Sequence, residues 1–280
     1  MKLSVLMSVY GRDSAEFLRQ SLDSLAAQTV PAGEIVLVED GPLGAGLAET
    51  IRVAANLLPV VPVRLAANAG LGAALREGLS ACRGEFVARM DADDICAPER
   101  FARQLEFLEQ NAQIDVAGSA IAEFDDDPLA IRSIRRLPAT HPELMSFAKY
   151  RNPLNHVTVM FRRRSVLDAG SYQPCAGFED YHLWVRMLRG GFRLHNLSSA
   201  LVYVRCGSGM QQRRGGFSYL LRELAFQRFL HSTGLLAASD CARNILLRAP
   251  IRMAPAFVRS FCYERFLREP APPGGELNLE

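Results

Sequence analysis

Three carboxylates stand within four residues, at Asp91, Asp93 and Asp94, directly after the apolar stretch 85–90. Side chains two residues apart at a strand end can converge on one cation, and carboxylate oxygens suit Mg²⁺ or Mn²⁺ bound to a diphosphate. We therefore predict that Asp91 and Asp93 form a divalent-cation site. Asp94 is predicted to cap the helix near Pro98, and a solvated loop is the alternative for the whole cluster.

Two further polar segments follow predicted strands. Glu39-Asp40-Gly41 places a carboxylate where it can accept from a ribose hydroxyl or a base N–H, although Asp-Gly is also a common turn. The segment Asn68-Ala69-Gly70-Leu71-Gly72 resembles a glycine-rich phosphate loop, but it lacks the spacing of a dinucleotide fingerprint and does not follow the first strand. A tight turn before a helix is the alternative for this segment.

An acidic pair, Glu179-Asp180, stands at the start of another predicted helix. The positive end of the helix dipole favours ionised carboxylates there, so the pair could supply a general base. Helix capping is the simpler interpretation. His156 and His182 are alternative bases, although a single histidine in a loop or helix more often has a structural role.

Short apolar runs alternate with helical patterns through the first half of the chain. Strands are predicted over 3–9, 35–38, 60–65 and 85–90, with helices over 14–28, 47–58 and 71–82 and from Pro98 onward. This order, with strands that are apolar throughout, predicts an α/β fold whose parallel sheet is covered on both faces. The carboxyl ends of such strands form the ligand site, and segments 8–10, 39–41 and 91–94 fall there.

The second half of the chain is less regular. A polar break is predicted over 125–128, a loop over 152–156, a strand over 157–161 and a helix over 178–189, followed by helices from 216 to 236 and from 240 to 267. We expect one domain over 1–209, with a regular half, 1–115, and a less regular half, 116–209. A C-terminal helical region, 210–268, and a flexible tail, 269–280, follow.

Composition excludes several classes of protein. The chain has 280 residues and a formal charge of +2, which argues against a nucleic-acid partner bound through overall basicity. Its six cysteines show no CxxC spacing, so a zinc or redox motif is not expected. No apolar run approaches the roughly 20 residues of a spanning helix, and the N-terminus does not resemble a signal peptide. We expect a protein on the cytoplasmic side.

Taken together, these segments resemble the inverting, nucleotide-sugar-dependent glycosyltransferases of family 2, which have the GT-A fold. The resemblance rests on segments 4–10, 24–29, 35–41, 68–75, 84–94 and 98–100, whose order and spacing match over about residues 3–205. The segment 152–161 is similar to bacterial members that build exopolysaccharide, capsule or O-antigen units. The resemblance implies a Rossmann-like, mostly parallel central sheet with helices on both faces, followed by C-terminal helices.

The resemblance also implies that 1–209 is the catalytic domain, with a nucleotide-binding half, 1–115, and an acceptor half, 116–209. It further implies roles for particular residues. Ser8, Tyr10 and Asp40 would line the base pocket, with Asn68 also on the nucleotide, while Asp91 would face the ribose and Asp93 would hold Mn²⁺ or Mg²⁺ on the diphosphate. Asp180, beside Glu179, falls at the position of the catalytic base. Glu39 departs from the family pattern, in which an aspartate usually begins the strand-two pair.

A mechanism follows from these implied roles. Asp180 would deprotonate an acceptor hydroxyl, which attacks the anomeric carbon opposite the nucleoside diphosphate, most simply UDP. The partners are then a nucleotide-sugar donor and a glycan or lipid-linked glycan acceptor.

Three other functions fit less well. A phosphatase of the haloacid dehalogenase type needs its Asp-x-Asp after the first strand and a downstream lysine, and only Lys149 is available. A nicotinamide-dependent oxidoreductase lacks its fingerprint after strand one. A catalytically inactive scaffold with the same fold would not need both acidic clusters.

The segment from Met210 to Arg268 has ten arginines and no lysine, interleaved with aromatic residues. Such a segment could lie at an anionic membrane surface at the inner face of the plasma membrane. The alternatives are that its aromatics pack the helices onto the catalytic domain or join two subunits of a homodimer, with arginines at the edge.

Overall fold

Strands and helices alternate through the first half of the chain, as the apolar pattern predicts. The computed structural model describes residues 1–206, 215–255, 258 and 268–270. The strands are β1 Leu3–Tyr10, β2 Glu34–Asp40, β3 Val60–Arg64, β4 Phe86–Asp91, β5 Ile95–Cys96, β6 Val116–Phe124, β7 Ile131–Arg135, β8 Met160–Arg162, β9 Leu194–Arg205 and β10 Glu269–Pro270. The helices are α1 Ala15–Ala26, α2 Ala45–Ala54, α3 Leu71–Ala81, α4 Arg100–Gln110, α5 His141–Phe147, α6 Arg163–Asp168, α7 Glu179–Arg189, α8 Phe217–Ser232 and α9 Ala238–Met253, with a 3-10 turn at His156–Thr158.

These strands form one mixed sheet in the order β10-β7-β6-β8-β4-β1-β2-β3, with β9 beside β6 and also paired with β5. β1 pairs in parallel with β2 and β4, β2 with β3, and β6 with β9. β8 runs antiparallel between β4 and β6, and β7 and β10 continue antiparallel at the far edge. The nucleotide-binding half predicted from the sequence therefore has a parallel sheet.

Both faces of the sheet are covered by helices. Leu6 of β1 faces a core that includes Leu75 of α3 and Trp184 of α7. The neighbouring Met7 faces the opposite core, which includes Leu18 of α1 and the apolar side of α4. A strand buried on both sides has no polar alternation, which is why β1, β2 and β4 are almost continuously apolar. The predicted α/β class with helices on both faces is confirmed.

The α8–α9 helical hairpin packs against α7. The ring of Phe226 stacks on Phe178 with 4.5 Å between centroids. Glu223, only 1% exposed, forms ion pairs with Arg248 and Arg252 of α9, the second at 3.1 Å. Within the described residues, no helix combines the length and apolar character needed to span a membrane.

The strand predicted over 157–161 begins later than expected. Residues His156–Thr158 form a 3-10 turn, and only Met160–Arg162 pair as a strand. The Thr158 hydroxyl donates to the Asn155 carbonyl at 2.8 Å and accepts from the Ser119 amide at 2.9 Å. These side-chain hydrogen bonds stabilise a turn in a sequence whose apolar residues suggest a strand.

Two predictions near the C-terminus also differ from the structure. The helix expected to reach 236 ends at Ser232, and Gly234 follows with a φ of +74° that interrupts helical geometry. The tail expected to be mobile from 269 begins with a short strand, Glu269–Pro270, paired with β7. The second C-terminal helix spans Ala238–Met253, and most of its predicted extension, 256–257 and 259–267, lies outside the described residues, as does 271–280.

One glycine controls how closely α3 approaches the sheet. A Cβ at Gly78 would lie 2.5 Å from Leu6 Cδ1 and 2.6 Å from Val38 Cγ2. We predict that Gly78→Ala lowers the free energy of unfolding by about 1–3 kcal/mol, because overpacking outweighs the better helix propensity of alanine. Gly46→Ala in α2 is the matched control, since its Cβ would meet only Ala15 Cβ at 3.5 Å. Urea denaturation would contradict the prediction if both variants gained stability.

Candidate active site

The carboxyl ends of β1, β2 and β4 bring the predicted nucleotide-binding residues together. In the register of the sheet, Ser8 stands beside Asp91 of β4, and Tyr10 stands beside Asp40 of β2. Ser8, Tyr10 and Asp91 are half-buried and Asp40 is buried. Parallel strands thus align side chains that are far apart in the sequence along one edge of the sheet.

Asp91 is held by Arg89, which precedes it by two residues and lies on the same side of β4. Both guanidinium Nη atoms donate to the two carboxylate oxygens, with Nη1 at 2.6 Å from Oδ2. The Arg89 side chain is only 3% exposed, and its Nε has no hydrogen-bond partner among the described residues. The Ser21 hydroxyl also donates to the Asp91 backbone carbonyl at 2.9 Å. Asp91 is therefore fixed in orientation before any ligand binds.

Asp93 is exposed beside this pair, whereas Asp94 is buried. Asp94 Oδ1 accepts a hydrogen bond from the Arg205 amide at the end of β9, at 3.0 Å. The expectation that Asp94 caps the following helix is therefore wrong. That helix begins at Arg100, and its N-cap residue Glu99 forms no side-chain cap.

The crowded carboxylates disfavour their own ionisation. Although the Asp93 side chain is exposed, desolvation by the surrounding protein raises its pKa, and the adjacent charge of Asp91 raises it further. The pKa of Asp94 lies well above its usual range for the same reasons, with Asp93 as an additional cause. A divalent cation would relieve this repulsion.

The three residues also fit a divalent cation in their geometry. One carboxylate oxygen from each of Asp91, Asp93 and Asp94 lies within 4.8 Å of the others. Hard oxygen donors of this kind match Mg²⁺ or Mn²⁺ better than softer metals. Asp93 has the most accessible carboxylate, because Arg89 engages Asp91 and Asp94 is buried.

Asp40 organises the loop between β3 and α3. Its Oδ1 accepts from the Ala69 amide at 2.6 Å and its Oδ2 from the Gly70 amide at 3.1 Å, while Asn68 Nδ2 donates to its backbone carbonyl at 3.3 Å. Gly41 has a φ of +86°, and a Cβ there would lie 2.6 Å from the Asn68 amide nitrogen. The two segments predicted separately from the sequence therefore form one hydrogen-bonded unit.

Both residues of the acidic pair stand in the first turn of α7. Asp180 Oδ2 accepts from Asn152 Nδ2, and its Oδ1 accepts from the Tyr181 amide at 2.8 Å. Glu179 instead accepts from the Gly177 amide at 3.1 Å, and burial raises its pKa. Asn152 therefore orients Asp180, and the two acids have different surroundings.

Tyr172 stands in the loop between α6 and α7. Its hydroxyl is 2.9 Å from His156 Nε2, and its side chain is fully buried. Burial raises the Tyr172 pKa, Arg89 opposes this, and the charges of Asp180 and Asp91 add to it. Tyr172 is therefore held as a neutral phenol beside His156.

The alternative bases are less suited to proton transfer. Burial and the charge of Arg89 hold the pKa of His156 well below its usual value. His182 stacks on Phe229 of α8 with 4.1 Å between ring centroids, and burial lowers its pKa to about 4. Both rings therefore have structural contacts in the folded protein.

Four residues that build this site were given no role in the sequence-based predictions. Arg89 had a visible signal, because it is the only charged residue between Phe86 and Met90 in a buried strand. Asn152 stood in the segment 152–161, which was singled out for its loop and for its resemblance to bacterial family members, with no role given to Asn152 itself. Tyr172 and Arg205 had no local signal, since their partners are distant in the sequence.

Comparison with known proteins identifies the class of this fold and site. The family model for glycosyl transferase family 2 matches residues 4–170, and the chain belongs to this family. It is a glycosyltransferase, and the family predicted from the sequence is confirmed.

Two relatives match nearly the whole chain. The amylovoran biosynthesis glycosyltransferase AmsE of Erwinia amylovora is 41% identical over 265 residues, covering 94% of this chain and 98% of the relative. The UDP-Gal:alpha-D-GlcNAc-diphosphoundecaprenol beta-1,3-galactosyltransferase of Escherichia coli is 32% identical over 267 residues, covering 95% and 97%.

Solved structures share the fold at low sequence identity. TarS 1-349 of S. aureus in complex with UDP-GlcNAc aligns with a TM-score of 0.65 at 20% identity, covering 94% of this chain and 75% of that chain. The mannosyltransferase PcManGT of Pyrobaculum calidifontis, in complex with GDP-Man and Mn²⁺, aligns with a TM-score of 0.63 at 18% identity, covering 94% and 81%. These similarities confirm the GT-A architecture.

The double hydrogen bond from the loop to Asp40 can be tested directly. We predict that Asp40→Asn lowers the free energy of unfolding by about 1–3 kcal/mol, because one amide N–H of the loop then faces an NH₂ group instead of an acceptor. Asp23→Asn makes the same change at an exposed residue paired with Arg19, and it should cost no more than about 1 kcal/mol. Equal losses in urea denaturation would contradict the role of Asp40.

Proposed function

We propose that the protein transfers a sugar from a UDP-sugar to an acceptor hydroxyl, with inversion at the anomeric carbon, in the synthesis of a bacterial surface polysaccharide. The observation that carries the proposal is the alignment of Ser8, Tyr10 and Asp40 with the acidic cluster of Asp91, Asp93 and Asp94 along one edge of the sheet. Support for the donor class comes from the relative named for UDP-Gal and from the TarS complex with UDP-GlcNAc.

The nucleotide would lie across the ends of β1, β2 and β4. Ser8 and Tyr10 would contact the base, and Asp40 and Asn68 would shape the wall of its pocket through the loop they hold. Asp91, oriented by Arg89, would accept from a ribose hydroxyl. This arrangement follows the register of the strands.

Asp93, assisted by Asp91, would hold Mn²⁺ or Mg²⁺ beside the diphosphate. When bound, the cation supplies positive charge that stabilises the departing nucleoside diphosphate. The surrounding residues contribute by orienting donors and restricting water, since Arg89 fixes Asp91 and Arg205 fixes Asp94. The raised pKa of Asp93 supports a site that is completed by a cation.

Asp180 would act as the general base. Its carboxylate takes the proton from the acceptor hydroxyl while that oxygen forms a bond to the anomeric carbon and the bond to the diphosphate oxygen breaks. Asn152 and the Tyr181 amide hold the carboxylate in place, and the first turn of α7 favours its negative charge. Attack opposite the leaving group inverts the configuration.

The acceptor is proposed to be a sugar carried on a lipid diphosphate. The support is the name of the Escherichia coli relative, which acts on a diphosphoundecaprenol-linked sugar and aligns over 97% of its length. An acceptor of this kind is embedded in a membrane, so the enzyme would work at the cytoplasmic face of the bilayer.

Metal dependence is testable by calorimetry. We predict that UDP binds the parent more tightly with Mn²⁺ than without it, and that Asp93→Asn loses this difference because the most accessible ligand is removed. Asp126→Asn removes one charge from another exposed aspartate and should keep the metal effect. An unchanged Mn²⁺ effect in Asp93→Asn would rule out Asp93 as the ligand.

The base can be separated from donor binding. Asp180→Asn should keep the affinity for UDP but lower turnover by about 10²- to 10⁴-fold, the usual contribution of general-base catalysis. Release of UDP from a UDP-sugar is measured with a synthetic sugar-diphosphate-lipid acceptor, and Glu179→Gln is the neighbouring control. If Glu179→Gln shows the large loss and Asp180→Asn does not, the base has been assigned to the wrong carboxylate.

A further inference from the structure

Helix α9 is attached to the protein by its polar side. Within the described residues Asn244 is its only buried residue, and Asn244 Nδ2 donates to the Lys149 carbonyl at 2.9 Å and to Gln227 Oε1 at 3.2 Å. Arg248 and Arg252 lie on the same side and pair with the buried Glu223. A surface helix normally turns its apolar side inward, and α9 does the opposite.

The apolar side chains of the hairpin face solvent instead. Six of the fourteen large apolar side chains that are exposed in the described part of the chain lie on α8 and α9. These six form what we call the hairpin face: Phe217, Leu221, Leu246, Leu247, Ile251 and Met253. Leu246 and Leu247 are 74% and 64% exposed, and the Gly216 amide donates to the Arg252 carbonyl at 3.0 Å, which joins the start of α8 to the end of α9.

Three of the four aromatic residues in the described part of this segment pack inside the protein, and the fourth, Phe217, is exposed. Tyr219 and Phe226 are buried against Phe178, and Phe229 stacks on His182. For these residues the packing alternative is correct. A different set of side chains, mainly aliphatic residues of α9, is exposed.

The positive charge of the hairpin favours an anionic lipid surface, rather than a second copy of the chain, as the partner of the hairpin face. Residues 215–255 include five arginines against Glu223 and Asp240, a net charge of +3. Arg222, Arg228 and Arg243 are exposed on the same two helices. A second copy of this face would bring like charges together across a two-fold axis, whereas an anionic lipid surface would attract them.

We propose that the hairpin face binds the surface of a membrane that contains anionic lipids, with its leucines and isoleucine in the acyl boundary and the exposed arginines at the headgroups. The proposal rests on the proposed function in one respect, that a lipid-linked acceptor gives membrane binding a use. The binding itself needs neither donor nor acceptor.

The test is co-sedimentation of the full chain with vesicles of phosphatidylglycerol and phosphatidylethanolamine, compared with phosphatidylcholine alone. We expect pelleting with the anionic vesicles that weakens as salt is raised. The double variant Leu246→Gln, Leu247→Gln should bind at least about tenfold more weakly, since it removes two of the apolar side chains that would enter the bilayer. Leu57→Gln with Leu129→Gln, which are 82% and 84% exposed elsewhere, is the matched control and should bind like the parent.

A second pair of variants tests the charge. Arg222→Gln with Arg228→Gln should weaken binding to anionic vesicles at low salt by roughly fivefold or more and should change little at high salt. UDP affinity should stay at the parent value in every hairpin variant. If the parent does not bind UDP, the proposed transferase function is wrong, but the membrane result still stands.

Three results would overturn the inference. The first is absence of pelleting of the parent with anionic vesicles at low salt, and the second is equal pelleting of the leucine variant. The third is light scattering that finds a dimer of the parent and a monomer of the Leu246→Gln, Leu247→Gln variant, because a second copy of the chain would then cover this face.

Discussion

Repulsion among three carboxylates at the end of β4 is the constraint on which the site depends. One positive side chain, Arg89, is built into the strand to oppose it, and that side chain is almost completely buried. Its two hydrogen bonds to Asp91 neutralise one carboxylate and leave Asp93 and Asp94 with raised pKa values. Because Arg89 is buried, losing its partner would leave an uncompensated buried charge, so Arg89 and Asp91 are expected to stay paired. The remaining negative charge is concentrated at Asp93, where a cation and a diphosphate could both reach it.

The rest of the fold keeps this charge beside the other functional groups. Parallel pairing places Ser8 next to Asp91 and Tyr10 next to Asp40, so three strand ends form one edge. Asp40 then fixes the loop that precedes α3. A Cβ on Gly72 of that helix would lie 2.9 Å from Glu179 Cγ, so the start of α3 approaches the start of α7 closely. The ends of β1, β2 and β4 are therefore connected to the acidic pair of α7 through closely packed backbone rather than through a flexible linker.

Much of this arrangement could be predicted from local sequence. Alternating apolar runs fixed the order of strands and helices, and the position of Asp91 and Asp93 after a buried strand located the acidic cluster correctly. Local patterns failed where a partner is distant in the chain. Asp94 bonds the Arg205 amide, 111 residues away, and no spacing near Asp94 distinguishes that contact from a helix cap. The turn at His156–Thr158 was missed for a similar reason, because its Thr158 hydroxyl accepts from Ser119 on another strand.

The most direct test of the central claim is the position of manganese in crystals of the full chain grown with UDP and Mn²⁺. An anomalous difference map collected at the manganese edge locates the ion independently of the protein coordinates. The account predicts a peak within bonding distance of the Asp93 carboxylate and of the UDP diphosphate, with Arg89 still paired to Asp91. UDP bound at the strand ends with manganese elsewhere, or with no manganese peak beside it, would contradict the account.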